Sequence, residues 1–421
     1  MGEKNQIPKE LLQPDINIGL VGHIDHGKTT LLWRLSGKWA DTHSEELKRG
    51  ITIKLGYANV IIRRCEACSY LTYKEKCPKC KGKTKAIRHV SFVDAPGHKM
   101  LMASMLGGAA IIDAAILVIA ANESFPQPQT KEHFFALKAK GIKHIIVVQN
   151  KIDLVSKEEA LKQYNQIKEF FEREGLKPVI IPCSAQQGVN IELIFEEILK
   201  LPKPKRDLEA MPLFLVVRSF DVNKPGIEAD KIKGSILGGT LKQGKLKVGS
   251  IIEIKPGLSI VKETKQGKKV TYKPLLAKII EIRTEKYSLD EALPYGNLAI
   301  QTSLDPSLAK ADALAGCVVG LKGTLPDITY KAKFKAKLFA KLVGLEKEEE
   351  IAEIKVNEML LLSINASVTV ARVFSVKKEN DSYIVEANLT IPIVPLKGSK
   401  IGIARNYGGQ WRLIGYGELL E

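Results

Sequence analysis

Eight residues near the start of the chain have the spacing of a phosphate-binding loop. Gly22, Gly27, Lys28 and Thr29 complete the pattern GxxxxGKT within GHIDHGKT. Backbone N–H groups of such a loop surround phosphate oxygens, while the lysine neutralises charge and the hydroxyl binds Mg²⁺. The pattern needs a strand before it and a helix after it, and the sequence predicts both, over residues 16–21 and 29–35. A nucleotide triphosphate site is therefore expected here.

A second motif, DAPGH, follows the apolar run 89–93, which predicts a strand. Asp94 at its end is expected to hold the nucleotide Mg²⁺ through water, and Gly97 to offer its amide to the γ-phosphate. His98 stands one residue further on, where an imidazole could orient or deprotonate the attacking water. An isolated surface histidine would carry no such meaning, but its position in this motif favours a catalytic role.

A third motif, NKID, predicts which base is bound. Asn150 and Asp153 follow the predicted strand 145–149, at the edge where open α/β sheets bind ligands. A carboxylate accepts two hydrogen bonds from the N1–H and 2-amino groups of guanine, and adenine has no such donor pair. Ser184 and Ala185 follow another predicted strand and are expected to close over the base edge. The three motifs together indicate a guanine nucleotide.

A short segment between the first two motifs, RGITI at residues 49–53, offers Thr52 as a second hydroxyl ligand of Mg²⁺ when the γ-phosphate is present. With these four motifs the chain resembles the translational GTPases, the family of elongation factor Tu, and His98 matches their catalytic histidine. Three longer stretches at residues 43–58, 120–133 and 218–226 resemble the gamma-subunit family of the archaeal and eukaryotic heterotrimeric translation initiation factor two. The resemblance covers residues 15–421. The lack of long extensions favours the archaeal type.

The resemblance implies a role for each matching residue. It implies that Thr29 and Thr52 hold the nucleotide Mg²⁺, and that Asp25 and the Gly50 carbonyl hold a second Mg²⁺, although an Asp25 that caps the loop internally is an equally ordinary interpretation. Ile24 and Ile51 would form an apolar gate. The residues implied to bind GTP are Asp25, His26, Gly27, Lys28, Thr29, Thr30, Gly97, Asn150, Lys151, Asp153, Ser184, Ala185 and Gln186.

Four cysteines predict a structural zinc site. Cys65, Cys68, Cys77 and Cys80 form two CxxC pairs separated by eight residues. Two such turns supply four thiolates to a closed tetrahedral site, which leaves no position for a substrate. A pair of disulfides and a reduced, metal-free site are the alternatives, and a cytosolic redox state disfavours the disulfides. The remaining cysteines, at 183 and 317, lie in apolar runs and are expected to be small buried residues.

Length and pattern predict three domains. The 421 residues exceed one ordinary domain. Alternating strand and helix patterns end at Leu201, and PKPKR then marks a linker. The β-rich runs that follow, divided by Gly and Pro, indicate antiparallel barrels. The expected architecture is a GTPase domain over 1–205 with a parallel sheet and a zinc-ribbon insertion at 63–84, then β-barrels over 206–329 and 330–421.

Charge indicates the kind of partner. There are 64 Lys and Arg residues against 47 Asp and Glu residues, a net charge of +17, which favours a polyanion such as RNA. A merely soluble lysine-rich surface would have the same composition, and the lysine-rich segment 262–273 is expected to be a solvated hairpin tip. The chain opens without a signal-peptide pattern, and its longest apolar stretch, 109–121, contains Asp113. A cytoplasmic protein without a membrane partner is expected.

Three functions compete at this point. The resemblance implies a GTPase that carries initiator methionyl-tRNA to the small ribosomal subunit in complex with alpha and beta subunits. The alternatives are an elongation-type GTPase that carries another aminoacyl-tRNA, and a zinc-ribbon RNA binder with a relic nucleotide site. The ribbon between RGITI and DAPGH favours the first over the second, and the complete set of phosphate and Mg²⁺ residues disfavours the third. Hydrolysis is expected to be slow without ribosome or partner, because the sequence contains no recognisable arginine finger.

Overall fold

The computed structural model describes residues 7–39, 56–94, 107–223, 226–264, 267–342 and 349–420. Five residues with expected roles lie outside these ranges: Gly50, Ile51, Thr52, Gly97 and His98. The described chain divides into two compact units; the first takes in the chain up to Pro204 and the later segment Leu342–Glu349. The boundaries expected for three domains stay predictions.

The first unit is built on one seven-stranded sheet. Its strands are β1 (Asn17–Gly22), β2 (Gly56–Cys65), β3 (Leu71–Thr72), β4 (Thr84–Asp94), β5 (Ala114–Ala120), β6 (His144–Asn150) and β7 (Val179–Pro182). The order is β3-β2-β4-β1-β5-β6-β7. The five strands from β4 to β7 are parallel, as expected from the alternating pattern. In contrast, β2 pairs antiparallel with β4, because no crossover helix but only the cysteine-containing ribbon joins them.

Four helices accompany this sheet in the described part of the chain: α1 (Lys28–Ser36), α2 (Pro128–Ala139), α3 (Lys157–Arg173) and α4 (Ile191–Lys200). The helix α3 begins with a capping box, in which the Ser156 hydroxyl accepts a hydrogen bond from the Glu159 N–H and the Glu159 carboxylate accepts one from the Ser156 N–H. Central strands such as β1 and β5 are buried along their whole length, which explains their continuous apolar sequences. No described helix is both long and apolar enough to cross a membrane.

The second unit contains two closed antiparallel barrels, as expected. The strands of the first barrel region are β8 (Leu213–Phe220), β9 (Ile236–Gln243), β10 (Leu246–Lys247), β11 (Ile251–Thr264), β12 (Gly267–Arg283), β13 (Ser288–Leu289), β14 (Glu291–Ala292), β15 (Leu298–Thr302) and β16 (Val318–Leu321). The pairing of β11 with β12 closes a ring of six strands in the order β11-β16-β8-β9-β15-β12. The hairpin expected at residues 262–273 is the end of this β11–β12 pair, where Val261 faces Val270.

The second barrel has six strands: β17 (Thr329–Leu338), β18 (Met359–Ile364), β19 (Ser367–Glu379), β20 (Ser382–Ile393), β21 (Lys400–Tyr407) and β22 (Gln410–Leu419). They close in the order β17-β20-β19-β18-β21-β22. Alternate residues of β17, such as Ala332, Phe334 and Ala336, are buried, whereas the lysines between them face outward. The period-two pattern that predicted a barrel thus reflects one buried and one exposed face.

Candidate nucleotide site and cysteine cluster

The phosphate-binding loop joins the end of β1 to the start of α1, and two of its positions require glycine. Gly22 has φ +143°, and a Cβ there would lie 2.3 Å from the Val118 carbonyl oxygen. Gly27 has φ +87° directly before α1, and a Cβ there would lie 2.4 Å from the Asn150 Nδ2. Left-handed backbone and close approach both exclude a side chain at these positions. The spacing of the two glycines therefore follows from the shape of the loop.

Lys28 and Thr29, the side chains expected to bind phosphate and Mg²⁺, lie at the junction of this loop with α1. Lys28 is only 7% exposed, and its Nζ donates a hydrogen bond to the His23 carbonyl oxygen at 2.7 Å. The Thr29 hydroxyl donates to the Asp94 carboxylate at 3.2 Å. A hydroxyl and a carboxylate side by side at a helix N-terminus are the oxygen ligands that Mg²⁺ takes in nucleotide sites, directly or through water. The donor set fits this ion.

Asn150, at the end of β6, connects the other two parts of the site. Its Nδ2 donates to the His26 carbonyl oxygen at 2.9 Å, and its Oδ1 accepts from the Ala185 N–H at 2.9 Å. Lys151 adopts a left-handed conformation with φ +63°, after which Asp153 lies exposed in the short turn Ile152–Leu154. The folded chain thus brings the loop of residues 22–29, the NKID motif and residues 184–186 together.

Residues 184–186 form a tight loop after β7. Ser184 is buried, and its hydroxyl accepts a hydrogen bond from the Gln187 N–H at 3.1 Å. Arg34 of α1 also contacts this loop: its Nε donates to the Ala185 carbonyl oxygen at 2.7 Å, and its Nη2 donates to the Gln186 carbonyl oxygen. Sequence reasoning missed Arg34, since the two partners are about 150 residues apart and no motif includes it.

Two buried histidines support the phosphate-binding loop from the protein interior. The Gly22 N–H donates to Nδ1 of His133 at 2.9 Å, so this nitrogen carries no proton. Burial lowers the pKa of His133 to about 3, and Lys28 acts in the same direction. His26 is 1% exposed; its Nδ1 lies 3.0 Å from the Val118 carbonyl oxygen and its Nε2 lies 3.2 Å from a Glu123 carboxylate oxygen. Burial also lowers the pKa of His26.

These contacts narrow the role expected for His26. The His26 side chain is buried and contacts Val118 and Glu123 inside the protein, so only the His26 backbone can face a phosphate group. Glu123 and His133 lie in the stretch 120–133 that carries the family resemblance, but nothing in the sequence placed them against this loop, about 100 residues away in the chain. Both nevertheless determine the shape of the loop that the motif predicted.

Only one of the two residues expected at the second Mg²⁺ site, and one of the two expected to form the apolar gate, lie within the described ranges. Asp25 is exposed with φ +59°, and Ile24 beside it is partly exposed. Their expected partners, Gly50 and Ile51, belong to residues 40–55, outside the described ranges. The second metal ion and the gate therefore stay predictions.

The four cysteines of the ribbon between β2 and β4 converge on one point. Their Sγ atoms all lie within 4.8 Å of one another, with Cys65 and Cys80 at 3.3 Å and Cys68 and Cys77 at 3.6 Å. A tetrahedral ion about 2.3 Å from each sulfur would separate the sulfurs by roughly 3.8 Å. The cluster therefore fits a Cys₄ zinc site.

The backbone of the ribbon explains this convergence. Each CxxC pair closes a tight turn, with the Ser69 N–H donating to the Cys65 carbonyl oxygen at 3.0 Å and the Lys81 N–H donating to the Cys77 carbonyl oxygen at 2.9 Å. Ser69 and Lys81 both have positive φ. The backbone N–H of Cys68 lowers the pKa of the Cys65 thiol to about 6, with smaller contributions from the Cys80 side chain and the Ala67 N–H, while burial acts in the opposite direction. A thiolate at neutral pH is the form that binds a metal.

The two remaining cysteines have no part in this cluster. Cys183 and Cys317 are both buried, as expected. Burial raises the pKa of Cys183 to about 12 and that of Cys317 to about 11, so both remain neutral thiols.

Two known protein families match parts of this chain. The family described as "Elongation factor Tu GTP binding domain" matches residues 13–204, and the family described as "Initiation factor eIF2 gamma, C terminal" matches residues 330–419. The fold is shared with a bacterial selenocysteine-specific elongation factor (TM-score 0.72, 22% identity, 96% of this chain and 58% of that chain). It is also shared with elongation factor SelB from Methanococcus maripaludis in complex with a GTP analogue (TM-score 0.70, 22% identity, 97% of this chain and 79% of that chain).

Relatives with much higher identity span the whole chain. The translation initiation factor 2 gamma subunit of Methanococcus vannielii is 48% identical over 413 residues, which cover 97% of this chain and 99% of that protein. The gamma subunit of Pyrococcus furiosus is 46% identical over 423 residues, covering all of both chains. The gamma subunit of Archaeoglobus fulgidus is 48% identical, and the match covers 97% of this chain and 95% of that protein.

The parallel sheet, the phosphate-binding loop and the two barrels define a translational GTPase. Within that class, identity near 47% over the full length assigns the chain to a family. It belongs to the gamma subunits of archaeal translation initiation factor 2.

Proposed function

We propose that this GTPase binds aminoacylated initiator methionyl-tRNA in its GTP state, delivers it to the small ribosomal subunit and releases it after hydrolysis. The contacts of Asn150 carry the nucleotide part of this proposal, because this one side chain of the NKID motif links the phosphate-binding loop to the loop of residues 184–186. Family membership supports the tRNA part. The net charge of +17 suits an RNA partner.

The site residues have separate tasks in this proposal. Lys28 and the loop amides bind the phosphates, and Asp153 accepts the N1–H and 2-amino groups of guanine. Thr29, Asp94 and Thr52 would hold Mg²⁺, which neutralises charge on the β- and γ-phosphates when bound. His98 would orient the attacking water. Contacts of Thr52 and Gly97 with the γ-phosphate would distinguish the GTP state from the GDP state.

The zinc ribbon and the partner subunits complete the proposal. Cys65, Cys68, Cys77 and Cys80 would hold one Zn²⁺ that stabilises the ribbon and takes no part in hydrolysis. Alpha and beta subunits would join the chain in a heterotrimer, as family membership implies. Elongation factors of this class ordinarily lack the ribbon, and its presence favours initiator tRNA over other aminoacyl-tRNAs.

The deciding experiment compares the binding of initiator and elongator methionyl-tRNA to the heterotrimer, with GTP and with GDP. We expect the aminoacylated initiator tRNA to bind more tightly than the elongator, and more tightly with GTP than with GDP. The isolated chain serves as a control for the contribution of the partner subunits. Equal affinity for both tRNAs would favour the elongation-type function, and equal affinity in both nucleotide states would refute the switch.

A further inference from the structure

Arg34, in the last turn of α1, contacts the loop of residues 184–186 that is expected to close over the base. Its Nε donates to the Ala185 carbonyl oxygen at 2.7 Å, and its Nη2 donates to the Gln186 carbonyl oxygen. The Arg34 Cζ lies 4.6 Å from the centre of the Trp33 ring. A guanidinium group is planar and rigid, and stacking on an indole further limits its orientation. Two successive carbonyl groups are thereby fixed by one side chain.

Fixing a carbonyl group also fixes the N–H group of the same peptide. The peptide unit is planar and trans, so its C=O and N–H point in opposite directions. Because the Ala185 carbonyl points at Arg34, the Gln186 N–H points away from it. The next peptide is held in the same way, since its carbonyl contacts Arg34 and its N–H, from Gln187, donates to the Ser184 hydroxyl at 3.1 Å.

The Gln186 N–H differs from its neighbours in the loop. The Ala185 N–H donates to Asn150 and the Gln187 N–H donates to Ser184. Among the described residues, the Gln186 N–H has no hydrogen-bond acceptor. Gln186 is exposed, whereas Ser184 and Ala185 are buried. The loop therefore presents one oriented and accessible donor, held between Arg34 on one side and Asn150 on the other.

We propose that Arg34 is a positioning residue for base recognition, which directs the Gln186 N–H at the 6-oxo group of guanine. Guanine has an acceptor at this position, whereas adenine has an amino donor, which would face the N–H as a second donor. Asp153 would recognise the opposite side of the same base edge. This inference rests on the proposed guanine site and adds to it the residue that holds the second recognition group in place.

The test uses the full-length chain with Arg34→Ala and Arg34→Lys, and compares three diphosphates, with ADP added as a fourth to measure the selectivity for guanine. GDP has the complete base edge; 6-thio-GDP keeps the N1–H and 2-amino groups but has a poor acceptor at position 6; IDP keeps the 6-oxo group but lacks the 2-amino group. Arg173→Ala is the matched control, since Arg173 is an exposed arginine of α3 whose ion pair is to Glu169 at 3.5 Å. Calorimetry gives each Kd, and thermal unfolding without nucleotide reports the fold.

We expect the wild-type chain and Arg173→Ala to bind 6-thio-GDP roughly threefold to tenfold more weakly than GDP, the effect of one hydrogen bond. In Arg34→Ala this ratio should fall towards one, while the penalty for IDP, which reports Asp153, should persist. Arg34→Lys keeps a donor without the planar fork and should give an intermediate ratio.

Two outcomes would overturn the role of Arg34 alone: an unchanged 6-thio-GDP ratio in Arg34→Ala, or an equal loss of affinity for all three nucleotides, which would indicate a general structural role. A wild-type chain that does not distinguish GDP from ADP would overturn the guanine site itself. The two failures are thus distinguishable from one set of titrations.

Discussion

At the residue scale, Asn150 shows why the nucleotide motifs depend on one another. Its amide is used on both sides, as a donor to the His26 carbonyl oxygen and as an acceptor from the Ala185 N–H, both at 2.9 Å. A side chain at position 27 would collide with this amide. A change at Asn150 would therefore disturb the phosphate and base ends together, whereas Asp153, which is exposed, can be altered with little effect on the fold.

Replacing Asp153 tests base recognition directly. Asp153→Asn removes one of two acceptor oxygens and introduces a donor, so we expect GDP to bind roughly 10- to 100-fold more weakly, the range for hydrogen bonds to a charged group. Xanthine nucleotides should gain relative affinity, because they carry a carbonyl acceptor where guanine has its amino donor. Competition binding with GDP and XDP measures both effects. An unaltered preference would remove Asp153 from the site.

The buried His133 leads to a second prediction, which concerns how the free energy of unfolding depends on pH. Its pKa in the folded state is about 3, below the ordinary 6.5, so the unfolded chain binds a proton that the folded chain excludes. The contribution of the neutral His133 to the free energy of unfolding should therefore be fully present above about pH 6.5. It should decline as pH falls towards 3, by up to roughly 1.4 kcal/mol per pH unit.

Thermal unfolding of wild type and His133→Gln between pH 7.5 and 4.5 would measure this effect. Glutamine can still accept a hydrogen bond from the Gly22 N–H but does not titrate, so its unfolding temperature should fall less steeply on acidification. His144, an exposed histidine at the start of β6, provides the control variant His144→Gln. Parallel curves for wild type and His133→Gln would show that His133 does not contribute.

At the element scale, the ribbon between β2 and β4 is a small structure that cannot bury a core of its own. It spans about twenty residues, and its centre is the cysteine cluster, with Cys65 and Cys77 buried. Elements of this size generally depend on a metal or disulfides. The sulfur separations suit a shared metal ion, and the ribbon continues two long strands of the sheet on either side.

Cys77→Ser should therefore remove the metal. We expect about one Zn²⁺ per wild-type chain and close to none in the variant, because a closed Cys₄ site needs all four thiolates. Elemental analysis of the purified chains measures the content, and limited proteolysis should show faster cleavage within residues 66–83. Cys317→Ala, which changes a buried cysteine of the second unit, should retain the zinc. A zinc-free wild-type chain with an intact ribbon would contradict the assignment.

At the scale of the whole molecule, two arginines in the described part of the GTPase unit are engaged in structural contacts. Arg34 is committed to the loop of residues 184–186, and Arg88 to Asp15 and to the carbonyl oxygens of Ile198 and Leu201. Neither can act as an arginine finger without breaking these contacts. The isolated chain should turn over GTP slowly, and addition of ribosomes with the partner subunits should raise the rate.

Single-turnover measurements with and without ribosomes test this prediction, and His98→Ala identifies the group that responds. The variant should bind GTP with nearly wild-type affinity, while its stimulated rate falls by roughly 10²- to 10⁴-fold, the range for a positioned acid or base. Rapid turnover by the isolated wild-type chain would contradict the prediction. An undiminished stimulated rate in the variant would show that His98 has no catalytic part.

Much of the fold could be predicted from local patterns. The helix expected at 29–35 is α1, and the strand expected at 145–149 is β6, each with one further residue at both ends. The parallel sheet expected of the GTPase domain is confirmed, and the structure adds that β2 pairs antiparallel with both β3 and β4, because strand direction depends on the connection and not on the composition of the strand. Boundaries shifted by a residue or more, as for β4, which begins at Thr84.

The sequence by itself determined which residue types and spacings the chain offers for chemistry, and these predict a loop for phosphates, a carboxylate for guanine and four thiols for a metal. Within each of these motifs the residues lie close together in the chain, so that local backbone geometry dictates their spacing. Only the tertiary structure decided what holds these groups in place, as Arg34, His133 and Glu123 show. Their partners are about 100 to 150 residues away, and a contact between distant segments leaves no periodic trace in a single sequence.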